Sequence, residues 1–231
     1  GFPPGGASDI TARIVGQKLA ERIGQPVIID NRPGGNTVIG AQLVAKAAPD
    51  GYTLGMTTLT QLLATVLHQK FPMDRDFTPV SRVGATPFVL VVSPTLPVKS
   101  VADLIAHAKG RPGQVLYASG GPGSTPHLCM EMFNGMTGVN LVHVPYKSSI
   151  LAVTELASGQ VHALCSAVPT LHATLQSAKA RALAITSREP SKLAPGVPTV
   201  AAGATEKLPL AGFTGAGQAL GPERLLNLAG T

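Results

Sequence analysis

Two short stretches carry the residue types that can hold an anion: Gly5-Gly6-Ala7-Ser8-Asp9, and Ser119-Gly120-Gly121-Pro122-Gly123-Ser124-Thr125. Each is Gly-rich and each precedes a pattern that reads as a helix. A turn of this kind presents unpaired N–H groups and the positive end of the helix dipole to one point. Glycine lets a ligand approach the backbone without an intervening side chain. Ser8, Ser124 and Thr125 add hydroxyl donors. One such cradle is weak information, but two at matching points of successive α/β units suggest a small anion clamped between them. Asp9 would repel an anion directly. Its expected role is a carboxylate facing the N-terminal dipole of the helix, the alternative being an acceptor for backbone groups or for a water that also contacts the ligand.

Signatures of catalysis are sparse. Gly-x-Ser-x-Gly, Gly-x4-Gly-Lys-Ser/Thr, the dinucleotide fingerprint and His-Glu-x-x-His do not occur. His127, Cys129, Glu131 and His143 hold metal-ligating atoms, but His127 and Cys129 at i, i+2 do not share a helix face, so no metal is expected. His127, one turn into its helix, reads as a donor or packing residue beside the second cradle. The competing enzymatic reading is a hydrolase or transferase for a small anionic substrate, using Ser119 or Ser124 with His127 or His143. It lacks an evident orienting acid.

The elements that must position these residues alternate in type. Apolar residues at 10, 14, 15, 19 and 23 predict an amphipathic helix over 10–23, stopped by Gly24 and Pro26. Strands are expected at 27–30 and 52–57, helices at 37–48 and 60–68, and a Val-rich strand at 79–93. A helix follows at 100–109, with Ser100 as N-cap. The pattern then restarts: strands at 115–118, 141–144, 161–165 and 181–186 alternate with helices at 125–136, 150–157 and 170–177. Such alternation implies α/β units and mainly parallel sheets flanked by helices. The Pro-containing stretch 93–99 reads as a crossover between two lobes, and 197–213 as a second. That divides the chain into a first lobe at 1–96, completed by 206–231, and a second lobe at 97–205.

Composition agrees with a folded binding protein. The chain has 231 residues, 44% hydrophobic and 13% charged, with a net charge of +6. Disorder is excluded by that balance. The absence of Trp, the few other aromatics and the lack of any Lys/Arg run argue against nucleic acid as a partner. No apolar stretch approaches the ~18 residues of a membrane span. Cys129 and Cys165 leave open one disulfide or two buried thiols, and their apolar setting favours thiols.

Several segments in order resemble a known family. They are Phe2-Pro-Pro-Gly-Gly-Ala-Ser-Asp9, Asp30-Asn31-Arg32-Pro33-Gly34-Gly35-Asn36, Ala47-Ala48-Pro49-Asp50-Gly51-Tyr52-Thr53-Leu54, Tyr117-Ala-Ser-Gly-Gly-Pro-Gly-Ser124 with His127-Leu128, His143-Val-Pro-Tyr-Lys147, Ala182-Leu183-Ala184-Ile185-Thr186-Ser187 and Gly196-Val-Pro-Thr-Val200. On these the chain is identified as a member of the Bug, or TctC-like, extracytoplasmic solute receptors of tripartite tricarboxylate transporters. The resemblance implies a periplasmic binding protein of type II-like, Venus-flytrap architecture, whose two α/β lobes close on a small organic carboxylate. It implies no catalysis and no cofactor, a monomer, and transporter subunits in the membrane as partners. It nominates Gly6, Ala7, Ser8 and Asp9 from the first lobe, and Ser119, Gly120, Ser124, Thr125 and His127 from the second. Thr57, Thr58 and Gln61 follow the Tyr52 strand and face the cleft in this reading.

Departures from the family pattern sharpen it. The strand ending beside the ligand often carries an acid, whereas here Leu164-Cys165-Ser166-Ala167 offers Ser166 instead. An amino group would lose its partner, which favours a di- or tricarboxylate over an amino acid. Ser148-Ser149 replace the usual Gly after the Tyr-Lys pair. The chain lacks a signal peptide, the strand that opens the family's first lobe and its long closing helices, so an exposed sheet edge is expected in the first lobe.

Overall fold

The structure, a computed structural model, describes residues 1–62 and 73–203. A five-stranded sheet organises the second half: β1 (Phe88–Val92), β2 (Leu116–Ser119), β3 (Val142–Pro145), β4 (Ala163–Ala167) and β5 (Arg181–Ile185), in the order β3-β2-β4-β1-β5. β2 pairs in parallel with β3 and β4, while β1 runs antiparallel to both β4 and β5. Four strands therefore share one direction and β1 alone opposes them.

Period-two alternation splits each strand between two cores. Leu90, Val92, Tyr117 and Cys165 face one layer, where Val101, Leu104 and Ala108 of α3 (Val101–Lys109) pack with Met130 and Phe133 of α4 (Thr125–Thr137). Val89, Val91, Ala118 and Leu164 face the other, against Leu156 of α5 (Ser149–Ser158) and Leu171 of α6 (Val168–Gln176). The result is a sheet with helices on both faces.

The stretch 93–99, expected as a crossover, follows β1 and leads into α3. Leu96 and Val98 are buried in the same core as Leu90, Val92 and Leu104. Residues 206–231, expected to complete the first lobe, lie outside the described residues, as do most of the 60–68 helix and the end of the 197–213 crossover.

In the first half, α1 (Ala7–Ile23) and α2 (Val38–Ala45) form where the apolar spacing predicts them. Residues 27–30 and 52–57, expected as strands, pair with no strand among the described residues. A strand needs a neighbour to complete its hydrogen-bond ladder, and with none present the apolar residues stay open: Ile14 is 60% exposed and Ile28 85%. The α1 stripe at 10, 14, 15 and 23 thus lies mostly at the surface rather than in a core.

Local capping sets the helix starts that the sequence placed well. Ser100 Oγ accepts from Asp103 N–H at 3.0 Å, and Asp103 Oδ2 accepts from Lys99 N–H at 2.9 Å. Ser100→Ala is expected to lower stability by about 1 kcal/mol, read as a reduced urea midpoint with unchanged slope. The start of α6 at Val168 precedes the expected 170 because Pro169 suits the first helical turn, where its missing N–H costs nothing.

Candidate functional site

Helix starts crowd one edge of the sheet. β2, β3 and β4 run in parallel, and each is followed by a helix: α4 from Thr125, α5 from Ser149 and α6 from Val168. Their N-terminal N–H groups therefore gather at the carboxyl ends of the strands, where ligands of open α/β sheets bind. Both Gly-rich turns meet there. A side chain at Gly120 would stand 3.0 Å from Ser149 Oγ and 3.2 Å from Ser149 N, and one at Gly5 would touch Ile150 Cδ1 at 3.4 Å. The two turns thus approach the same helix start from opposite halves of the molecule.

A hydroxyl bridge links the halves. Thr60 Oγ1 lies 2.8 Å from Thr125 Oγ1 and accepts from Thr125 N–H at 3.2 Å. Both residues are buried, and Gln61 beside them is buried too. Gln61 Oε1 accepts from Thr58 N–H at 3.2 Å. Thr58 Oγ1 is buried without a hydrogen-bond partner among the described residues, an arrangement that native structures seldom leave unsatisfied. Thr57 is exposed.

Asp9 sits beneath the first turn rather than in it. It is 5% exposed, and its carboxylate accepts from Gly5 N–H at 2.9 Å, Arg13 Nε at 3.0 Å and Asn31 Nδ2 at 2.9 Å. Asn31 Nδ2 also donates to Phe2 O at 3.1 Å, and Arg13 reaches Asn31 Oδ1 at 3.1 Å. The Arg13 hydrogen bond first, then those from Gly5 and Asn31, hold the Asp9 carboxyl down to about 2. Asp9 lies in the first turn of α1, as expected of a carboxylate facing the dipole, and also takes the backbone-acceptor role: it fixes the turn from Phe2 to Gly5. Gly6 caps α1 without a side chain, leaving the N–H groups of Ala7, Ser8 and Asp9 without intrahelical acceptors. Ser8 is half-buried at that position.

The second turn is tied internally. Ser124 Oγ donates to Gly121 O at 2.7 Å and accepts from His127 N–H at 3.4 Å, closing the turn and capping α4. Ser119 is fully buried; its Oγ accepts from Gly121 N–H at 3.0 Å and lies 2.7 Å from His143 Nε2. His127 Nδ1 accepts from Gly123 N–H at 3.1 Å, and its ring packs 4.2 Å from that of His143, so of the expected donor or packing role the packing one is seen, with Nδ1 as an acceptor besides. The His143 ring stacks on Tyr117 at 4.9 Å and lies 4.2 Å from the His127 ring. The Tyr117 hydroxyl donates to Glu131. Burial first, and then His127, push the His143 imidazole below its usual value, and burial with the Glu131 hydrogen bond raises the Tyr117 phenol. Ser119 and His143 have the atoms of a nucleophile and base, but Ser119 is sealed from solvent and already engaged by Gly121. Ser166 is buried in β4, opposite Val89.

Cys129 of α4 and Cys165 of β4 form a disulfide, with Cα atoms 6.4 Å apart. This corrects the expectation of two thiols: α4 packs directly over β4 and brings the pair within bridging range. Among the described residues no group of three or more His, Cys, Asp or Glu is placed to hold a metal, and no helix is long and apolar enough to cross a membrane.

The residues that sequence reasoning did not nominate for binding stand behind the turns: Arg13, Asn31, Thr60 and Tyr117, with Glu131 and His143, which it had weighed only as metal-ligating or catalytic groups. Asn31, Tyr117 and His143 lie in motifs quoted for the family resemblance, which was the available signal.

Comparison with known proteins places this geometry in a family. Residues 11–213 match the model for the tripartite tricarboxylate transporter family receptor, TctC. The chain is 41% identical over 204 residues to the protein BugT of Bordetella pertussis, covering 87% of this chain and 63% of the relative. It is 37% identical over 202 residues to the UPF0065 protein in the tcbD-tcbE intergenic region of Pseudomonas sp., covering 87% and 60%. The chain thus spans less than two thirds of the length of these relatives. Among solved structures, R. palustris Rpa4515 with adipate aligns with a TM-score of 0.83 at 34% identity, covering 98% of this chain and 78% of that one. MatC (Rpa3494) from Rhodopseudomonas palustris with bound malate aligns with a TM-score of 0.79 at 29% identity, covering 90% and 71%. A family match over most of the chain and a periplasmic-binding-protein fold around two facing Gly-rich turns agree: the chain belongs to the TctC family of tripartite tricarboxylate transporter receptors.

Proposed function

We propose that the protein captures a small di- or tricarboxylate between its two Gly-rich turns and delivers it, as a monomer in the periplasm, to the membrane subunits of a tripartite transporter. The observation that carries this reading is the convergence of both turns on the start of α5, near Ser149 and Ile150. Helix N-termini from both halves then face one point, and their N–H groups and dipoles favour negative charge. The adipate and malate bound in the similar solved structures support the choice of ligand class. Ser166, in place of an acid, leaves a ligand ammonium without a counter-charge. The disulfide suits an oxidising compartment.

The proposed contacts are the backbone at Gly6, Ala7 and Gly120, the hydroxyls of Ser8 and Thr58, and the N-terminal turn of α4 at Ser124 and Thr125. Thr57, Gln61 and Ser166 line the approach. Asp9, Ser119 and His127 act through the turns they hold. Ligand would bridge the halves where Thr60 meets Thr125, favouring the closed arrangement in proportion to its preference for it. Isothermal titration calorimetry with adipate, malate, citrate and glutamate tests the proposal. Saturable heat from one or more of the first three, and weaker binding of glutamate, is the expected outcome. A folded protein that binds none of the four would overturn it.

A further inference from the structure

In the second turn Gly121 and Gly123 both have positive φ, at 112° and 74°, and neither contributes a side chain to pack. Gly121 O receives the Ser124 hydroxyl at 2.7 Å and the Ser119 hydroxyl at 3.2 Å. Two further hydrogen bonds tie the turn to the histidines. One runs from Gly123 N–H to His127 Nδ1, at 3.1 Å. The other runs from Gly121 N–H to Ser119 Oγ, at 3.0 Å, and continues to His143 Nε2 at 2.7 Å. The parallel register sets Tyr117 opposite His143, so Tyr117, His143 and His127 form a column of rings between the β2/β3 edge and α4.

We propose that His127 and His143 are positioning residues for the second Gly-rich turn: His127 holds Gly123 through Nδ1, and His143 holds Gly121 through Ser119. Neither needs to touch the ligand. The proposal rests on carboxylate binding as proposed above, but its chemistry is separable. An accepting Nδ1 carries no proton, so neutral His127 is the Nε2–H tautomer. Protonation at Nδ1 replaces the acceptor with a donor aimed at Gly123 N–H, and the hold is lost. The titratable groups packed on the His127 ring are His143 from β3 and Tyr117 from β2, and Glu131 stands one turn along α4. The close approach of the two imidazoles disfavours charging both.

The two histidines use different nitrogens, and this gives opposite rescue patterns. The asparagine amide reaches the place of Nδ1, and the glutamine amide that of Nε2. With adipate and malate as probes in calorimetry, His127→Asn is expected to keep most of the affinity, while His127→Gln and His127→Ala weaken it about tenfold, the effect of one lost hydrogen bond that leaves its donor unpaired. At the other ring the order reverses: His143→Gln keeps most of the affinity and His143→Asn loses about tenfold. General destabilisation does not produce reversed orders. In the unliganded wild type, the Gly123 amide resonance is expected to titrate with the His127 ring, and to stop doing so in His127→Asn. Equal effects of Asn and Gln at either position would overturn the proposal, and so would a Gly123 amide that ignores the ring. If the wild type binds neither adipate nor malate but binds citrate or glutamate, that ligand replaces them as the probe; if it binds none of the four, the receptor function fails, and the Gly123 amide alone decides the bracing role.

Discussion

Asp9→Ala is expected to raise the dissociation constants for adipate and malate by more than about tenfold and to lower stability at neutral pH. One buried carboxylate receives Gly5 N–H, Arg13 Nε and Asn31 Nδ2. Removing it takes the acceptor from Gly5 N–H and leaves Asn31 Nδ2 with Phe2 O alone, and a hydrogen bond to a charged group contributes more than one between neutral groups. Gly5 has a φ of 82° and no side chain to steady it, so the first turn loses the group that fixes its backbone against α1. Asp9→Asn is a sharper probe, because its amide nitrogen meets donors. The pH dependence carries a sign. The folded carboxyl is held at about 2, below the ~3.9 of an unfolded aspartate. Its contribution is therefore complete above about pH 4 and disappears as pH falls through about 2. Urea midpoints of wild type and Asp9→Asn should differ most at neutral pH and converge on acidification. A gap that stays constant across that window would mean that the charge on Asp9 is not what holds the turn.

The legibility of this site in the sequence followed the range of the interactions. The Gly-rich turns and the helices after them are local, and Gly5-Gly6 before α1 or Gly120 to Ser124 before α4 could be read directly. So could the Ser100 cap, whose partner is three residues away. What holds the turns is not local. Asn31 reaches Asp9 from 22 residues away, His143 reaches Ser119 from 24, and Thr60 reaches Thr125 from 65. Choosing His143 rather than His127 as the partner of Ser119 required knowing that β3 lies beside β2 in a register that sets it opposite Tyr117. The same limit explains β1. Its Val-rich sequence announced a strand, but only its pairing with β4 and β5 put it in the second half's sheet. Residues 27–30 and 52–57 show the converse: among the described residues neither pairs with a strand, and β-forming sequence needs a neighbour to complete its ladder.

Replacing both Cys129 and Cys165 with Ala is expected to lower unfolding stability by about 3–4 kcal/mol while leaving carboxylate affinity within about twofold of wild type, a change of under ~0.5 kcal/mol. The bond closes a loop across a sequence separation of 36, and cross-linking a chain over that span restricts the unfolded ensemble more than it shapes the folded one. Cys129 is buried in the same core as Met130 and Phe133, so α4 stays packed on the sheet after the bond is gone. The Gly123–His127 and Thr60–Thr125 contacts at the head of α4 do not depend on it. This separates two kinds of support for the site. Asp9 and the histidines hold backbone that meets the ligand, so their loss appears in affinity. The disulfide limits the conformations of the unfolded chain, so its loss appears in the urea midpoint. Reduction of the wild type with dithiothreitol should reproduce the stability loss without the substitutions. A double variant with wild-type stability would show that the cross-link contributes nothing, and a large drop in affinity with the fold intact would show that α4 needs it to present the second turn.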